Sequence, residues 1–102
     1  MSRAGECEAT LARLWREHLS APFPTGLRGA EPAGIDVVLL DATIAGCVST
    51  WQNNGGSLDA ERHRILRDCI ADLDRALPMI TDAEELGYCQ RLHRMATSAL
   101  LP

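Results

Sequence analysis

IDVVLLDATIAGCVSTWQNN, residues 35–54, is the most apolar stretch of the chain, and its period decides the fold. At roughly 100° per residue, Val37, Leu40, Ile44, Cys47, Val48 and Trp51 fall on one stripe of a helix. Ile35, Val38, Leu39, Ala42, Gly46 and Ser49 fall opposite. The β-branched start, IDVV, also reads as a strand, but the chain offers no second convincing strand to pair with it. A helix with two apolar faces is expected to be buried on both. The faces differ in kind. One is bulky and ends in tryptophan. The other is kept small by Ala42, Gly46 and Ser49, which lets another backbone approach closely. The bulky face is expected to meet the chain's own core, and the small face either the N-terminal helix or the same helix of a second subunit.

Two carboxylates interrupt this stretch. Asp36 lies in the first turn, where the positive end of the helix dipole favours it. Asp41 is less comfortable. Between Leu40 and Ile44 it must reach solvent at the edge or find an arginine; an inter-helix ion pair, for instance with Arg67, is the expectation, with a functional carboxylate as the alternative.

Downstream, Trp51 belongs to the core stripe, NNGG (53–56) reverses the chain, and Ser57 or Asp59 caps the next helix. That helix, 58–77, turns Leu58, Ile65, Leu66, Cys69, Ile70, Leu73 and Leu77 inward and stops at Pro78. A fourth helix, 82–100, opens on TDAE, where Thr81 and Glu84 form a capping box. Upstream, Cys7, Leu11, Leu14, Trp15 and Leu19 recur at helical spacing over 6–20, until APFP ends the helix. Residues 21–34 are dense in proline and glycine and form a long loop, which Phe23 and Leu27 are expected to pin to the bundle. The fold expected is all-α: a small four-helix bundle, with three antiparallel helices in up-down-up order and an N-terminal helix joined by the long Pro/Gly loop. Residues 1–102 make one domain.

Composition narrows the function classes. The formal net charge is −4, there is no lysine, and acids and arginines interleave. Neither a nucleic-acid partner nor an anionic membrane surface is expected, since both require a concentrated basic face. No apolar run approaches the roughly 18–20 residues of a membrane span, and MSRAGECEATLARLW lacks the features of a signal peptide, so a cytoplasmic protein is expected. The four cysteines (Cys7, Cys47, Cys69 and Cys89) are then reduced and contain no C-x-x-C pair.

Each predicted helix carries one cysteine beside an apolar stripe. Counted from Pro78, Cys69 and Cys89 sit at nearly the same height, and His93 follows Cys89 by one turn. Packing thiols are the expected reading, with a redox pair or a metal site at Cys69, Cys89 and His93 as alternatives; no fourth ligand is evident. No catalytic residue is assigned: nucleophile elbow, zinc-helix, P-loop and dinucleotide motifs are all missing. His18, His63 and His93 are expected at the surface or at edges. A helix-turn-helix reading of 53–69 fails because LDAE places two carboxylates where phosphate would approach.

The run LLDATIAGCVSTWQNNGGSLDAERHRILRDCIADLDRALP (39–78) resembles short uncharacterised helical proteins of high-GC bacteria. The resemblance covers the middle of the chain, implies a helical cytoplasmic protein and carries no activity with it.

The leading expectation is a non-enzymatic module that self-associates, as a homo-oligomer such as a dimer, or binds a protein partner. Ala42, Gly46 and Ser49 would be its interface, and no cofactor is called for. The competing expectation is a small-molecule-binding or enzymatic protein with a site near the 52–63 turn and the 21–34 loop, where Arg28, Gln52, Asn53 and His63 supply polar groups.

Overall fold

The computed structural model describes residues 3–100, with side chains from Ala9 onward. The inward placement expected of Cys7 therefore lies outside the described side chains. The fold is all-helical: α1 (Arg3–Ser20), α2 (Val37–Asn53), α3 (Ala60–Ala76) and α4 (Ala83–Leu100), packed as a small four-helix bundle. No helix among the described residues is long and apolar enough to cross a membrane.

Each of the last three helices starts on an aspartate. Asp36 caps α2, its Oδ1 accepting from the Leu39 amide at 3.2 Å. Asp59 caps α3 by accepting from the Arg62 amide at 2.8 Å. At α4 the cap falls one residue later than the capping box placed it: Asp82 Oδ2, not the Thr81 hydroxyl, accepts from the Glu85 amide at 3.0 Å. An ionised acceptor at the positive end of a helix outcompetes a neutral hydroxyl. The turn after α2 closes with the Gly56 amide donating to the Trp51 carbonyl at 2.8 Å, a Schellman-type bond that needs the positive φ of Gly55 (66°). After α3 a 3-10 turn at Leu77–Met79 carries the chain round Pro78.

The core is built from fully buried Leu11 and Leu14 of α1, Val37, Ile44 and Val48 of α2, Leu66 and Leu73 of α3, and Leu92 and Met95 of α4. Leu27 brings the long loop into this core, and Phe23 packs against it. The helices are not equivalent: α4 packs on α1, α2 and α3, whereas α1 and α2 share no comparable contact. That open seam overturns the expectation that α1 covers the small face of α2. Its bulky stripe is inside, but Val38 and Leu39 are 41% and 64% exposed, and Ala42, Gly46 and Ser49 also face solvent. With α1 leaning on α4, nothing in the described chain covers them.

The contrast between closed core and open α2 face predicts unequal responses from a leucine of α3 and one of α2. Leu73→Ala, in the closed core, should lower the free energy of unfolding by about 2–5 kcal/mol. Leu39→Ala, on the open face, should change it by no more than about 0.5 kcal/mol. Urea denaturation followed by circular dichroism measures both.

Candidate functional site

The open seam between α1 and α2 is floored by a polar network. Apolar residues Leu11 and Leu14 put position 18 on the same inward face of α1, so His18 is only 8% exposed rather than at the surface. Across the seam, Asp41 of α2 places Oδ1 2.7 Å from His18 Nε2, while its Oδ2 accepts a hydrogen bond from the Tyr88 hydroxyl of α4 at 2.9 Å. Asp41 thus finds a histidine and a tyrosine, not Arg67. Despite its approach to His18, Asp41 Oδ1 makes no aligned hydrogen bond, and both it and His18 Nδ1 are buried without a hydrogen-bond partner.

Aromatic rings frame this pair. Trp15 stacks near His18 at 6.1 Å between centroids and 23° between planes, and Tyr88 lies 5.2 Å from the same imidazole. Because APFP ends α1 and turns the chain back, Phe23 reaches Tyr88 and meets it edge-on at 5.3 Å. Arg28, further along the loop, holds its guanidinium 5.0 Å from the Phe23 centroid, and Arg91 of α4 stands 5.2 Å from that of Tyr88. Together Trp15, His18, Phe23, Arg28, Asp41 and Tyr88 line a groove of about 400 Å³, whose upper walls are Leu19, Val38, Ala42 and Ala45. A largely apolar concavity of this size with a few convergent polar groups suits a small organic ligand.

Of the residues singled out from sequence, Arg28 joins the groove. Gln52 and Asn53 do not: they are exposed near the far end of α2, about 16 Å along the helix from Asp41 at 1.5 Å per residue. His63 is half-buried in the first part of α3. Cys69 and Cys89 are buried and free, and burial, with smaller contributions from neighbouring acidic groups, pushes each thiol up to about 11. His93 instead pairs with Asp74, Nε2 to Oδ1 at 2.9 Å. No three or more His, Cys, Asp or Glu side chains among the described residues are grouped to hold a metal ion. Ala42, Gly46 and Ser49 lie on the open face of α2, and a Cβ built on Gly46 would meet nothing within 4 Å.

Sequence reading missed His18 and Tyr88. The spacing Leu11, Leu14, His18 carried the signal for the first, and the unease of Asp41 in an apolar helix carried the need for a partner. No family model matches the chain, and no curated protein or solved structure is measurably similar to it.

Burial, and then the hydrogen bond to Asp41 with its negative charge, hold the Tyr88 phenol well above its ordinary value, against the opposing pull of Arg91. A phenol whose proton is held more tightly in the folded state contributes stability that is complete below the unfolded value of about 10 and is lost as the pH climbs above it. Tyr88 is the only tyrosine, so phenolate absorbance reports on it alone. In an alkaline titration that absorbance should appear above the range of a free phenol and together with loss of helical circular dichroism. Asp41→Asn, which removes the charge but keeps an acceptor, should bring it to lower pH.

Proposed function

We propose that this protein is a small-molecule-binding module whose site is the groove between α1 and α2 beneath the 21–34 loop. The observation that carries this reading is the His18–Asp41 pair: two buried polar side chains with unpartnered atoms, set in an aromatic-lined concavity instead of in closed core. Buried polar atoms without partners are costly, and a ligand that supplies hydrogen bonds offsets that cost. Free thiols at Cys47, Cys69 and Cys89 are what a reducing compartment preserves, and they support a cytoplasmic location.

A second reading, self-association, is favoured by α2 itself. Among its 17 residues only Asp41 is charged, and that charge is engaged across the seam. Its solvent side (Val38, Leu39, Ala42, Gly46 and Ser49) is uncharged, unlike the outer faces of the other helices. Two copies could pair there through small residues without bringing like charges together.

Titration with small aromatic compounds, followed by amide correlation spectra, tests the first reading. Binders should perturb amides of residues 15–28 and 41–45, and Phe23→Ala should abolish the response while the helical spectrum is kept; perturbation confined to other regions would remove the reading. Sedimentation equilibrium across the micromolar range tests the second. A dimer that Leu39→Arg converts to monomer is the expected outcome, and a strict monomer at all concentrations rules it out.

A further inference from the structure

The charges around the groove point to one class of ligand. Arg28 has no carboxylate within ion-pair distance among the described residues; its guanidinium rests on the Phe23 ring instead. Arg91 stands over the Tyr88 ring. The one carboxylate that lines the groove, Asp41, keeps Oδ1 buried at the floor, whereas Arg28 is exposed at the rim, where an incoming ligand meets it first. His18 also lines the groove, is more than nine-tenths buried, and has an Nδ1 without a partner.

The walls are as selective as the charges. Trp15 and Phe23 both line the groove, Trp15 stacked near His18 and Phe23 edge-on to Tyr88, and Val38 and Ala45 add aliphatic walls. Flat apolar surface is matched by a flat ring, and a guanidinium fork matches a planar carboxylate in bidentate fashion. A doubly charged phosphate would meet a single guanidinium at the rim and the negative charge of Asp41 below it.

We propose that the groove takes an aromatic carboxylate, its ring seated against the lining side chains of Trp15 and Phe23 and its anion read by Arg28; the assignment rests on the ligand-binding reading above. Calorimetric titration with three naphthalene probes of one shape tests it: 2-naphthoate, naphthalene-2-methanol and naphthalene-2-methylamine. The carboxylate should bind up to about fivefold more tightly than the alcohol, the increment of one exposed ion pair at the upper end of its range. Arg28→Gln should erase that advantage, read as the ratio of carboxylate to alcohol affinity within each protein. Equal or weaker binding of the carboxylate, or an advantage that survives Arg28→Gln, overturns the assignment. If the alcohol or the amine binds in the groove while the carboxylate has no advantage, the anion assignment falls and the ligand-binding reading stands. If no probe binds, both fall.

Discussion

Asp41 holds the bundle's least supported junction. Its carboxylate lies between His18 of α1 and Tyr88 of α4, and α2 has no other substantial link to α1. A partly buried carboxylate is stable only while its partners remain, and the same holds for the imidazole opposite. Three helices are therefore coordinated by groups that would each be costly if left alone. The aromatic frame follows from this. Trp15, Phe23 and Tyr88 shield the pair from water, which strengthens its electrostatics and leaves apolar ring surface lining the groove above it.

Much of the architecture was legible because it depends on local rules. Period 3.6 located all four helices, and proline and glycine marked the connections; of the three aspartate caps only Asp59 reads as one from sequence, beside Ser57, and Asp36 reads as a first-turn residue. The capping box at α4 slipped by a residue because Thr81 and Asp82 are adjacent and either can act as a cap; only the relative strength of their acceptors separates them. Burial of α2 was harder to read. Hydrophobicity shows that a face can be covered, but not whether the chain has a helix left to cover it, and here α1 is engaged by α4.

The groove was half legible for a related reason. Arg28 and Asp41 stood out because each breaks a local pattern: one is charged within a Pro/Gly loop, the other within an apolar helix. His18 and Tyr88 broke none. Histidine at the margin of a stripe and tyrosine on an inner face are both ordinary, and what makes them a site is a meeting of residues 18, 41 and 88 that no local spacing encodes. The polar turn residues Gln52 and Asn53 drew notice by composition alone, and composition there is explained by helix termination.

The open seam also has a meaning in chain entropy. Helices α2, α3 and α4 are joined by short turns, so ordering them relative to one another closes only small loops. Docking α1 on α4 instead joins segments at opposite ends of the sequence and also immobilises the long Pro/Gly connection. That loss of freedom is concentrated at one docking step. Leu11, Leu14 and Leu27 offset it with buried surface, and the polar contacts of His18 and Tyr88 to Asp41 set the register in which α1 comes to rest.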